Sequence, residues 1–244
     1  MKKGPARLAA FFARPDVQLS VYALLTVAAT FQQYFLPLKS FENGPATYTE
    51  YNNYVIFRQS FFHLLDHRNL YAPYPAEQWD LFKYSPTFAL FMGLLAKLPD
   101  WLGLLLWNSL NSLVLFAGIQ NLPGFSAGAK RRVGWFVLVE LLTSLQNSQS
   151  NGLVLGLLVW GFVLLERRNL GGATLLVLLS AFVKIFGAVA FLLFWFYPRR
   201  GRAFAYGVGW TTLLVALPLL VVPPSDLAVQ YQNWLRLLQS DHST

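Results

Sequence analysis

Several side chains in this sequence are of types that do chemistry, and each sits in an unusual place. Glu50 lies in the stretch "YTEYNNYVIFRQSFFHLLDHRNLYAPYP" (48–75). A carboxylate there can act as a general base if it reaches a hydroxyl and partial burial tunes its pKa. It can equally be an acid that complements a helix N-terminus, and Glu42, Asp66, Glu77 and Asp80 compete for the base role. "LQNSQSN" (145–151) sets Gln146, Asn147, Gln149 and Asn151 between two apolar runs. Amides suit sugar hydroxyls or phosphate oxygens, although a polar hairpin turn capping two helices uses the same residues. Lys184 interrupts "LLVLLSAFVKIFGAVAFLLFWF". A charge in such a run costs about 3 kcal/mol at a membrane helix centre, which makes it a functional residue by default. It fits the phosphate of a lipid-linked donor, an ion pair with Glu140, or snorkelling to an interface. Asp241-His242 offers an acid–base pair near the C-terminus. Tyr71, Tyr74, Tyr84, Trp101 and Trp107 fit an interfacial aromatic belt.

The elements that must carry these groups follow from composition. The chain has 244 residues, 55% of them hydrophobic and only 12% charged, against about 25% charged in soluble domains. Mean hydropathy is +0.43. Apolar runs alternate with short basic knots, the pattern of an all-α, polytopic membrane protein. The sequence has no cysteine and only three histidines, so a thiol nucleophile is excluded and a His-rich metal centre is disfavoured. The net charge of +8 is dispersed in knots and forms no continuous stripe, so nucleic acid is not an expected partner. With no G-x-x-x-x-G-K-[ST] motif, an ATP-driven pump is disfavoured.

Lys2, Lys3, Arg7 and Arg14 precede the run from Val17 to Leu36, about 20 residues and enough to cross a bilayer core. The run continues through Ala28-Ala29 without a polar break, which predicts an uncleaved anchor with a cytoplasmic N-terminus. Further runs lie at 85–98, 101–121, 133–145, 151–165, 170–197 and 203–222, punctuated by Lys130-Arg131-Arg132, Arg167-Arg168 and Arg199-Arg200 with Arg202. If these knots face the cytoplasm, the 145–151 turn and a hairpin tip at Lys184 face outward. The segment 38–100 becomes a long outer loop, a length that usually signals function. Within it Tyr54, Phe57, Phe61 and Leu65 form an apolar stripe, with Asn52, Gln59, His63 and Asp66 opposite. This predicts a helix from Glu50, capped by Thr49 and ended by Asp66-His67-Arg68-Asn69, lying on the membrane with its polar face in water. One membrane domain, 1–244, in the cell membrane is expected.

"EYNNYVIFRQSFFHLLDHRNLY", "YSPTFALFMGLLAKLPDWLGLLLWNSLN", "QNSQSN" and "AFVKIFG", in this order over about residues 45–200, resemble the polyprenyl-phosphate-mannose-dependent mannosyltransferases of glycosyltransferase family 87. The matching residues are Glu50 with Tyr54, Leu70-Tyr71, Tyr84-x-Pro86, Gln146/Gln149/Asn151 and Lys184. The resemblance implies a C-type membrane glycosyltransferase that moves one hexose from a polyprenyl-phosphate donor to a lipid or glycan hydroxyl outside the cytoplasm. Inversion, with the first-loop acid as base and no metal or other cofactor, is implied with it. Lys184, Gln146, Gln149, Asn151, Tyr54, Tyr84, Asp241 and His242 are then the expected substrate contacts, and Glu50 the catalytic group. Two departures stand out. The first-loop acid is usually aspartate, and the chain stops at "QSDHST" where family members continue with more helices, so a truncated chain is expected. The other readings are a transporter or lipid-scrambling module built on Glu140 and Lys184, and an assembly subunit without chemistry of its own.

Overall fold

A computed structural model describes residues 14–40 and 46–241. Lys2, Lys3, Arg7, Glu42 and His242, named above for topology or chemistry, lie outside them. The described chain is mostly helical. Its strands are two-residue pieces, Lys39–Ser40 antiparallel to Thr47–Tyr48.

Helix α1 (Pro15–Phe35) starts on Pro15 and Asp16, a fixed φ and a dipole-complementing acid at its first turn. It packs on α4 (Asp100–Gln120) and α5 (Ala127–Gln146). Its polar residues supply the seam. Gln18 donates to Arg131 O at 3.0 Å, Tyr22 to Gly134 O at 2.6 Å, and Thr30 accepts from Asn108 at 3.0 Å. Buried polar groups that are paired in this way cost little, which is how an apolar run buries Gln18, Gln33, Thr26 and Thr30.

α2 (Asn52–Leu65), α3 (Pro86–Ala96) and α4 carry the largest buried cluster, with Tyr54, Phe57, Leu64, Phe82, Phe88 and Trp107 at its centre. α6 (Asn151–Glu166) lies between α4 and α7 (Leu170–Val183). Gly156 makes the first contact possible, since a Cβ there would meet the Leu115 backbone N at 2.8 Å. After Lys184 the chain enters a twelve-residue 3-10 segment, Ile185–Phe196, long for that geometry. Phe194 clusters with Ala173 and Val177 of α7, so the segment runs back along the helix it follows. α8 (Arg200–Ala216), a short 3-10 turn (Leu217–Leu220) and α9 (Pro224–Asp241) complete the order.

Among the described residues two segments are long and apolar enough to cross a membrane, Asp100–Gln120 and Arg200–Leu220. Several shorter apolar helices accompany them. Large hydrophobic side chains are exposed on α1, α5, α8 and the 3-10 segment, among them Phe35, Phe136, Phe196 and Phe204.

The outer-loop helix differs from expectation in two ways. It begins at Asn52 after Tyr51, without a side-chain cap, and Thr49 Oγ1 has no hydrogen-bond partner. Its polar face is also covered. Asn52 exchanges two bonds with the Trp79 backbone (2.6 and 2.9 Å), and His63, only 2% exposed, meets Glu77 at 2.7 Å. The loop 66–84 folds over that face, so the helix is an interior element with two buried sides. Alternation of polar and apolar residues alone cannot distinguish water from a polar protein partner.

α9 was not anticipated either. Beyond the last apolar run, 203–222, the sequence shows no further continuous hydrophobic stretch. Leu227, Gln230, Trp234 and Leu238 repeat at helical spacing, and Pro224 starts the helix. Gln230 accepts from Leu70 N at 3.0 Å and donates to Arg68 O at 2.8 Å, and Trp234 donates to Lys83 O at 3.3 Å. The final helix therefore holds the loop 66–84 in place.

Candidate active site

A cavity of ≈ 280 Å³ is enclosed by four parts of the chain. They are α2 (Asn53, Ile56, Phe57), the loop Asp80–Tyr84, the turn at Gln149, and the break Lys184–Phe186, with Leu238 of α9 closing one side.

The turn is held from beneath. Trp107 donates its indole N–H to Ser148 O at 3.0 Å. Asn111 accepts from Leu153 N at 2.8 Å and donates to Trp107 O at 3.0 Å. The Asn111 amide thus satisfies one of the N–H groups that α6 leaves unpaired at its start. Ser148 takes a left-handed conformation (φ 50), a rare state for a side-chain-bearing residue. Gln149 and Asn151 are thereby presented toward Lys184.

Lys184 ends α7 in an extended conformation (φ −134, ψ 123) while its N–H still bonds Ser180 O. Gly187 makes the reversal possible, because a Cβ there would lie 2.3 Å from Ser180 Oγ and 2.7 Å from Ala181 N. The Lys184 ammonium donates to Asn151 Oδ1 at 2.7 Å and Gln149 Oε1 at 3.4 Å. Among the described residues it has no carboxylate at ion-pair distance. Glu140 is exposed on α5 and makes no pair with Lys184, which removes the feature on which a transporter reading rested.

The tyrosine-x-proline step acquires a physical meaning. Ser85, between Tyr84 and Pro86, caps α3 by accepting from Phe88 N at 3.1 Å and donates to Phe182 O at 2.6 Å. One hydroxyl joins the start of α3 to the end of α7, two residues before Lys184. Pro86 takes the first helical position, where a missing N–H costs nothing. Tyr84 lines the cavity, and burial pushes its phenol up to about 12.

The remaining expected residues separate. Gln146 donates to Gln32 of α1 at 3.2 Å and faces away from the cavity. Tyr54 is fully buried in the core, its hydroxyl unpartnered and pressed against Gly103. Glu50 sits in the turn before α2, ion-paired with Lys39, and is not among the cavity-lining residues. Asn53, three residues on, lines the cavity and donates to Asn147 O at 2.8 Å. Asp241 is the last residue of α9, and its side chain lies outside the described atoms.

The carboxylate that does line the cavity is Asp80. Its backbone is left-handed (φ 72), its Oδ1 accepts from Leu81 N at 2.7 Å, and Lys83 lies 3.7 Å away. A non-glycine residue held in this region is a strained conformation of the kind that clusters at functional sites. Asp80 and Lys83 offset one another, so Lys184 leaves the cavity with one surplus positive charge. Asn53, Lys83 and Leu238 had no sequence signal beyond composition and spacing.

Residues 82–244, more than half of the chain, match the family model described as Glycosyltransferase family 87. No curated protein and no solved structure matches the chain.

Proposed function

Since the chain belongs to glycosyltransferase family 87 and is thereby a glycosyltransferase, we propose that it transfers a mannose-like hexose from a polyprenyl-phosphate carrier to an acceptor hydroxyl, with inversion. The observation that carries this reading is the cavity at Lys184. It combines one surplus cation held by Asn151, two lining amides (Asn53 and Gln149) and an apolar flank of Ile185, Phe186 and Leu238. A sugar linked through a phosphodiester to a hydrocarbon chain has matching parts: one negative charge, hydroxyls and an apolar tail.

In this reading the acceptor oxygen attacks the anomeric carbon from the face opposite the phosphate. The bond from that carbon to the phosphate oxygen breaks, and polyprenyl phosphate leaves with an added charge that Lys184 stabilises. A carboxylate takes the hydroxyl proton. Glu50 is the base that the family resemblance names, and its turn lies just before cavity-lining Asn53. A second reading gives that role to Asp80, and its support is Asp80's place in the cavity wall.

We also read the chain as one multi-pass domain of the cell membrane, acting on the outer side. The basic knots at 130–132 and 167–168 lie at the ends of α5 and α6 remote from the 147–150 turn, which supports a cytoplasmic face opposite the site.

Transfer from polyprenyl-phosphate mannose to an alkyl mannoside is the test, with Glu50→Gln and Asp80→Asn compared. Losing the base lowers kcat by about 10² to 10⁴. The variant with that loss identifies the base, and near-normal rates in both overturn carboxylate-assisted transfer.

A further inference from the structure

A second cavity, ≈ 510 Å³, lies at the other end of the α6–α7 hairpin. α6 has 16 residues, so the two cavities are separated by roughly 24 Å of helix. This one is formed by the α6–α7 turn and the start of α8, and Arg168, Arg199 and Arg202 line it with Tyr197 and Tyr206. Among the described residues none of the three guanidiniums has an ion-pair partner. The nearby carboxylate, Glu166, is engaged by the Tyr197 hydroxyl.

Two features make this more than a topology signal. Arg168 (φ 62) and Arg199 (φ 68) both occupy left-handed backbone positions. Arg168 does so just after α6, where the Asn169 N–H bonds Leu164 O at 2.9 Å, the place usually given to glycine. Arg199 does so as the residue before α8. The start of α8 also has no acid in its first turn, while Arg199, Arg200 and Arg202 stand where a helix N-terminus is already positive. Like charges gathered on a positive dipole end are stabilised by an anion seated among them.

The surroundings indicate which anion. Trp195, Phe196 and Phe204 beside the cavity are 70%, 82% and 73% exposed, and the Arg200 guanidinium stacks over Trp195 at 5.1 Å. Exposed aromatics next to arginines match the boundary between acyl chains and headgroups. We propose that this cavity binds the phosphate of an anionic phospholipid, its acyl chains lying along the 3-10 segment and α8. The site is separate from the Lys184 cavity and does not depend on the sugar-transfer reading.

The test uses the full chain in detergent, with phosphatidylglycerol, phosphatidylcholine or inorganic phosphate added and binding followed by native mass spectrometry and thermal shift. The variant Arg168→Gly/Arg199→Gly/Arg202→Gln keeps residues that accept the left-handed backbone, and Arg131→Gln/Arg132→Gln is a charge control at another basic knot. Phosphatidylglycerol should bind and stabilise the parent chain more than phosphatidylcholine, and the triple variant should bind it at least about tenfold more weakly, with less than about a twofold change in the control. If the triple variant does not fold, Arg202→Gln alone, an exposed position on α8, must lower affinity severalfold. Equal weakening in the control, equal binding of the neutral lipid, or full stabilisation by inorganic phosphate would overturn the proposal.

Discussion

Replacing Lys184 with methionine keeps a side chain of similar length and removes the surplus charge of the cavity. Its effect on folding should be small. The ammonium is half-buried with two amide oxygens as partners, at 2.7 and 3.4 Å, and both amides remain near the open cavity. A bond to a charged group contributes about 1.5–3 kcal/mol, but the 3.4 Å bond is weak, the freed amides can turn to water, and relief of the desolvated charge offsets much of the remainder, leaving a net cost of about 1–2 kcal/mol. The effect on catalysis should be much larger. A charge-assisted bond to a phosphate that gains charge as it leaves contributes about 2.7–4 kcal/mol at the transition state, or roughly 10²- to 10³-fold in kcat. The assay is steady-state transfer from polyprenyl-phosphate mannose, with thermal unfolding of the same preparations alongside. Lys184→Arg, which restores the charge with a different shape, should recover part of the rate. If Lys184→Met changed kcat/KM less than about threefold while remaining folded, the phosphate role would be refuted. A rise in KM with kcat unchanged would reduce Lys184 to ground-state binding.

Three further outcomes follow from the supports of the site. Gly187→Ala places a methyl group 2.7 Å from the Ala181 backbone N, which cannot rotate away, so a loss of about 1–3 kcal/mol in stability is expected from thermal or denaturant unfolding. Asn111→Leu strands the Leu153 N–H and takes from the Trp107 carbonyl its second, side-chain bond. It should cost about 1–3 kcal/mol and increase hydrogen exchange in the 147–153 turn. The loop lock at His63 is acid-sensitive. Burial holds the imidazole below its ordinary 6.5, so the unfolded chain takes up that proton first and stability falls as pH drops below 6.5. For Glu77 burial pushes upward but the bonds from His63 and Arg68 outweigh it; the carboxyl stays below its ordinary 4.5, and more stability is lost under that pH. His63→Gln should flatten the stability profile between pH 6.5 and 4.5, and an unchanged slope there would show that the lock does not titrate.

The helical class and seven of the apolar elements, α1 and α3 to α8, could be read from the sequence because hydrophobic runs are local signals. Lys184 with Gln149 and Asn151 could be read because polar side chains in apolar runs need a reason, and the structure brings those three together. Glu50, Gln146 and Tyr54 illustrate the limit. Their types suited the chemistry, but an ion pair with Lys39, a bond to Gln32 and burial against Gly103 are set by partners 11, 114 and 49 positions away. Asp80 was one carboxylate among several until the fold of the 66–84 loop put it in the cavity wall. α9 was overlooked because its hydrophobic face is interleaved with polar residues, and attention to apolar runs alone passes over an amphipathic helix.

α9 also sets a timetable. The Leu70 amide waits for Gln230, 160 residues later, and the cavity receives its Leu238 wall later still. During synthesis the Lys184 side of the cavity is made while the 66–84 loop has no helix to hold it, so the cavity wall is complete only once α9 has been made. The last two turns of α9 thus complete a cavity whose other walls were made long before them: they supply Leu238 and the Trp234 bond to the Lys83 carbonyl.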